Sequence, residues 1–178
     1  MKLWLAFLLF AQGVLVGAEE AWKVARKLPA PEAHQAASAD QHFVYAITSG
    51  GVAKYDRKSG KRVATSEGAA KHLNSGFFWK GKLLCAHSNY PLKPERSEIK
   101  VLDIESMQLT TFKDFGSAGG SLTWVLHKDG FWWCNFALYG ADNHKTFLVK
   151  YDEQWREVTR WTYPAKVISQ LDHHSLSG

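Results

Sequence analysis

From Gly119 to Tyr163 the chain alternates short runs rich in Val, Trp, Phe, Tyr and Thr with polar breaks. The apolar runs cover 121–126, 131–136, 146–151 and 156–161, and the breaks include Lys128-Asp129-Gly130, Tyr139 to Asn143 and Asp152 to Gln154. β-Branched and aromatic runs bounded by turn residues predict strands, and four in succession predict an antiparallel meander.

The same pattern occurs twice upstream. Strands are expected at 35–39, 43–48, 51–55 and 61–65, and again at 77–79, 83–88, 98–102 and 109–112. Asp56, Asp103 and Asp152 each follow a third strand, 47 and 49 residues apart, and the second strands align as Gln41 to Tyr45, Gly81 to Cys85 and Gly130 to Cys134. A four-stranded unit repeating at this period is the mark of a β-propeller blade. The three Asp residues are expected to cap backbone N–H groups in turns. The fold class is therefore all-β, a β-propeller of four-stranded antiparallel blades.

The first residues differ in kind. Met1-Lys2 is followed by an apolar run from Leu3 to Leu15, and Val16-Gly17-Ala18 precedes Glu19-Glu20. This is the pattern of a secretory leader cut after Ala18, too short for a membrane span, and it places the protein outside the cytoplasm, secreted or periplasmic. Residues 1–18 are read as signal peptide, 19–33 as a lead-in in which 21–27 could form a short helix, and 34–178 as the propeller domain. The 160 residues after Ala18 hold about 3.4 such repeats, where closure needs about four. The chain is thus expected to carry about three blades and the start of a fourth, as part of a longer protein.

Charge changes this picture little. The 178 residues carry a net charge of +5, with Lys and Arg scattered singly, unlike the clustered faces of nucleic-acid binders. No nucleic-acid partner is expected, nor a membrane span once the leader is removed. Cys85 and Cys134 occupy equivalent second-strand positions in neighbouring repeats. Packed sheets lie about 10 Å apart and a bridge needs Cα atoms within about 7 Å, so no disulfide is expected.

Loops lengthened at one place in a rigid repeat are where function concentrates. The connection from second to third strand is short in the first repeat but runs from Asn89 to Ser97 in the second and from Leu138 to Lys145 in the third. On a propeller frame these loops share a rim with the starts of the first strands. His72, His87 and His173 are the candidate catalytic residues there. Asn74, Asn89, Tyr90, Asn135, Tyr139 and His144 are the candidate ligand-binding residues, and Trp79, Tyr90 and Tyr139 are the aromatics suited to stacking on a sugar or another ligand. Imidazoles would favour a transition metal such as zinc over calcium, but no spacing matches a defined metal motif and no cofactor is specified. No nucleophile-base order, phosphate-binding glycine loop or paired-carboxylate signature is present.

The segments His72 to Gly76, Cys85 to Pro91, Gly120 to Trp124, Trp132 to Ala137 and Val149 to Trp155 resemble secreted bacterial β-propellers, similar in architecture to NHL-type, gluconolactonase-like and cycloisomerase-type propellers. The resemblance implies a fold, while the acidic metal ligands of the gluconolactonase-like enzymes have no counterparts here. Two functions stay open: binding of a small molecule, glycan or protein at the loop-rich rim, or lyase, lactonase or isomerase chemistry on a sugar or small acid with His as general base.

Overall fold

The computed structural model describes residues 22–172 and 174–176. The expected leader and His173 lie outside the described residues. Within them the chain folds into three four-stranded antiparallel sheets, each a simple meander. Blade one comprises β1 (Ala36–Ala39), β2 (Phe43–Ile47), β3 (Val52–Asp56) and β4 (Arg62–Thr65). Blade two comprises β5 (His72–Trp79), β6 (Lys82–Ser88), β7 (Ser97–Leu102) and β8 (Leu109–Gly116). Blade three comprises β9 (Ser121–Lys128), β10 (Phe131–Ala137), β11 (Phe147–Tyr151) and β12 (Glu157–Thr162). The first strands β1, β5 and β9 neighbour one another in turn, the side-by-side arrangement of propeller blades.

Turn chemistry follows from the sequence. Lys80-Gly81 and Asp129-Gly130 each place two consecutive residues at positive φ, the two-residue hairpin turn that joins first and second strands in blades two and three. The three repeated Asp residues cap turns as expected. Asp56 accepts from the Ser59 N–H at 2.6 Å, Asp103 from Ser106 at 3.0 Å, and Asp152 from Gln154 and Arg156 at 2.9 Å.

The largest departure from the expected strands is in blade two. Its first strand begins at His72, not at residue 77, and accommodates the polar stretch His72-Leu-Asn-Ser by a bulge between Leu73 and Gly76. A Cβ on Gly76 would stand 2.6 Å from both Ile47 Cδ1 and Ser38 Oγ, so glycine is needed for blade one to approach here. The lead-in holds no helix between 22 and 27, where Lys, Arg and Val side chains are exposed and find no apolar face to pack on. Its end nevertheless packs on blade one, with Ala30 against the cluster of Ala46, Ala53 and Tyr55, and Glu32 bonded to the Tyr55 hydroxyl and to Arg62.

Alternation along β6 divides the core in two. Leu83 and Cys85 point into the seam with blade one, beside Tyr45, Ile47, Leu73, Met107 and Leu109. Leu84 and Ala86 point into the seam with blade three, beside Trp132, Cys134, Phe136, Phe147 and Tyr151. Both thiols are free and buried, each in a different seam.

A polar clip recurs at the third residue of each first strand. Ser38 Oγ donates to the Gly76 carbonyl at 2.9 Å, Asn74 Nδ2 to the Leu122 carbonyl at 2.9 Å, and Thr123 Oγ1 to the Leu176 carbonyl at 3.4 Å. Each bond reaches the backbone that lies one step further round. Residues 174–176 thus run alongside blade three where a following first strand would lie.

Candidate functional site

The rim at the start of the first strands carries two hollows, one taking His72 and the other His87. His72 and His87 are cross-strand neighbours displaced by one residue, since His72 pairs with Ser88 and Leu73 with His87. Successive residues on a strand face opposite ways, so the two imidazoles cannot share a site.

One of the two is an aromatic hollow of about 370 Å³ that reaches from Gln35 and Ala36 of blade one across His72, Asn74, Ser75 and Tyr90 of blade two to Tyr139 of blade three. The His72 and Tyr90 rings are 5.5 Å apart, and Tyr90 and Tyr139 are 5.2 Å apart. Tyr90 is 42% exposed, an unusual position for a ring with two aromatic neighbours. The same two tyrosines form a wall of an adjoining hollow of about 220 Å³, which adds Lys93, Glu95 and Asp142. The loop that carries Tyr90 is pinned by Asn89, which accepts from the Arg96 N–H at 2.8 Å and donates to the Pro94 carbonyl at 3.0 Å. Tyr139 precedes the 3-10 turn Gly140–Lys145 that fills the matching loop of blade three. Burial of the His72 ring lowers its pKa, so it is neutral at pH 7. Ser75 Oγ is buried without a hydrogen-bond partner.

On the blade-one side is an ionic hollow of about 250 Å³, lined by Lys71, His87, Asn89, Arg96, Glu98 and Lys100 among others. His87 is 7% exposed, and burial together with the Lys100 charge pushes its pKa down to about 4. Its Nε2 accepts the Lys71 backbone N–H at 3.0 Å. Glu98 is held by Lys100 at 2.6 Å.

Asn135 and His144 line neither hollow. Asn135 is fully buried, donating to Thr123 Oγ1 at 2.8 Å and to the Leu176 carbonyl at 2.6 Å while accepting from the Tyr163 hydroxyl at 2.7 Å. Those bonds use its amide, so it holds Tyr163 and Leu176 against blade three. Asn74 lines the aromatic hollow but likewise spends its amide on the clip to Leu122, and His144 donates to the Ala141 carbonyl within its own turn. His72, Tyr90 and Tyr139 converge, and His87 stands apart from them. Lys71, Arg96, Glu98 and Lys100 were not singled out by sequence. The signal was there in β7, where Glu98 and Lys100 occupy the positions that alternate with apolar Ile99 and Val101.

Among the described residues, no group of three or more His, Cys, Asp or Glu side chains is placed to hold a metal ion. No described helix is long and apolar enough to cross a membrane.

No protein-family model matches the sequence, and no curated protein sequence matches it. Among solved structures the chain is similar to the computationally designed Ika4 protein, at 12% identity and a TM-score of 0.47 over 78% of this chain and 96% of that one. It is also similar to a chain of the Mitotic Checkpoint Complex, at 10% identity and a TM-score of 0.42 over 71% and 51%. The designed Ika8 protein overlaps at 9% identity with a TM-score of 0.35 over 71% and 61%. Overlaps of this extent carry nothing on function, which rests on the side chains.

Proposed function

We propose that this chain is an exported binding module that takes a glycan or similar small polar molecule in the aromatic hollow at its rim. The observation that carries the reading is the Tyr90–Tyr139 pair, 5.2 Å between centroids, standing between two polar hollows. Aromatic faces pack on the C–H faces of sugar rings, and polar groups around them fix orientation. Gln35 and the unpaired Ser75 Oγ supply such groups on one side, Lys93 and Asp142 on the other. Neither tyrosine belongs to the two cores that bind the blades together, which is the expected distribution for rings retained for contact with a ligand.

Among the described candidates, His72 and His87, the enzymatic alternative narrows to one residue. His87 accepts a backbone N–H at Nε2, so in its neutral form Nδ1 carries the proton and neither nitrogen is open to take another. His72, neutral and lining the aromatic hollow, keeps that capacity. The test is calorimetric titration of the full chain with a panel of neutral oligosaccharides. Binding is expected, and Tyr139→Ala should weaken it at least about tenfold, or 1.4 kcal/mol. Absence of binding across the panel, or binding indifferent to Tyr139→Ala, would overturn the reading. Turnover abolished by His72→Gln would establish the enzymatic one.

A further inference from the structure

The ionic hollow holds a buried donor with nothing to donate to. Because His87 Nε2 accepts from Lys71, the neutral ring carries its hydrogen on Nδ1. That Nδ1 makes no hydrogen bond, although buried polar groups in folded proteins are nearly always paired. Glu98 Oε2 lies 3.5 Å away, at the limit of a hydrogen bond, and the two form none. Glu98 is in turn engaged by Lys100 at 2.6 Å and by Thr111 Oγ1 at 3.4 Å.

A group that satisfies this pair must accept from His87 and donate to Glu98 at once. A hydroxyl does both; a carboxylate only accepts and an ammonium only donates. The wider charge balance narrows the ligand further. Lys71, Arg96 and Lys100 face a single lining carboxylate, Glu98, while Asp114 takes one Arg96 nitrogen at 2.8 Å from outside the hollow. A surplus of positive charge remains, which repels cations and attracts an anion.

We propose that this hollow is a second binding site, for a small hydroxy acid whose hydroxyl bridges His87 Nδ1 and Glu98 while its carboxylate faces Lys71 and Arg96. The volume of about 250 Å³ suits a molecule of a few carbon atoms. The site is separate from the aromatic hollow, because β6 turns His87 to the opposite face from Ser88 and its partner His72.

Lactate and propionate differ by the one hydroxyl in question and serve as probes, with inorganic phosphate as a third. The ¹H–¹⁵N resonances of the His87 ring in the full chain report contact directly. Lactate is expected to shift them saturably and to bind at least about tenfold more tightly than propionate. Glu98→Gln and Lys71→Met should each weaken lactate at least about fivefold, while Tyr90→Ala, which strips the other hollow, should leave its affinity unchanged. Equal affinity for lactate and propionate, or a preference for phosphate, would reduce the hollow to simple charge attraction and overturn the proposal. So would an unchanged His87 resonance at saturating lactate, since water alone would then fill the gap. Lys71→Met removes an exposed side chain, so its result stands even if Glu98→Gln fails to fold.

Discussion

The two seams of blade two are built from the same strand and differ in almost every other respect. The seam with blade one is mostly aliphatic, centred on Ile47, Leu73, Leu83 and Met107, and opens at the rim onto charged groups. The seam with blade three is aromatic. Trp132 stacks on Trp155 at 4.7 Å and meets Trp79 at 5.0 Å, Phe136 stacks on Phe147 at 5.2 Å, and the rim above carries His72, Tyr90 and Tyr139. One register step along β6 decides which seam a side chain serves. The comparison teaches that a repeat architecture fixes where hollows form, while the residues that alternate into them decide what each can hold.

The largest test of that contrast is in the cores. Trp132, 3% exposed and in contact with four other rings, should cost about 3–5 kcal/mol when replaced by Ala. Ile47→Val in the other seam should cost about 1 kcal/mol. Chemical denaturation measures both, and a Trp132→Ala cost no greater than that of Ile47→Val would mean that the aromatic cluster is surface decoration.

The cysteines sample one seam each. Burial raises the Cys85 thiol from 9.0 to about 12 and raises Cys134 as well, so thiolate is scarce in both. For Cys85 three pH units amount to about a thousandfold less thiolate near neutral pH. Neither thiol should react with an alkylating reagent in the native protein, and both should label after denaturation without reductant. A native label on one of them would show that its seam opens.

Protonation of His87 probes the charged rim. Its folded pKa of about 4 lies below the unfolded value of 6.5, so between those limits the unfolded chain binds more protons than the native one. Stability from this group is therefore complete above pH 6.5, falls as pH drops toward 4, and levels off below. The loss is at most about 3 kcal/mol. The cause is visible: a second proton would charge a buried ring, place that cation beside Lys100 and Lys71 with Glu98 offsetting it only in part, and break the bond from Lys71. His87→Gln should flatten the slope in that window, and an unchanged slope would assign it elsewhere.

How much of this was legible in the sequence divides along the same line. Strand order, the turn role of Asp56, Asp103 and Asp152, and the separate burial of Cys85 and Cys134 follow from local pattern, because period-two alternation and turn chemistry are local properties. The bulge at Leu73 to Gly76 was not legible, since it answers to Ser38 and Ile47 of another blade. The same holds for the rim. Tyr90 and Tyr139 stood out as aromatics in long loops, whereas Asn135 reads as a polar residue near a loop until Tyr163 and Leu176 are seen to bond it. His87 was singled out without its partners, because Glu98 is joined to it by cross-strand register and Lys71 by a hydrogen bond, and neither by spacing.

The smallest effect on stability should come from Tyr90, and that smallness is what makes it informative. The ring is 42% exposed and its contacts are with His72 and Tyr139, so Tyr90→Ala should change the unfolding free energy by less than about 1 kcal/mol. Glycan affinity should nevertheless fall at least about tenfold, and Tyr90→Phe should keep most of it, because stacking uses the ring face and not the hydroxyl. A ring that packs the fold would show the opposite split. If Tyr90→Ala lowers stability by several kcal/mol with oligosaccharide binding intact, the aromatic hollow is a continuation of the aromatic seam beneath it, and the contrast between a packed core and a rim free to take a ligand fails at the residue where it is drawn most sharply.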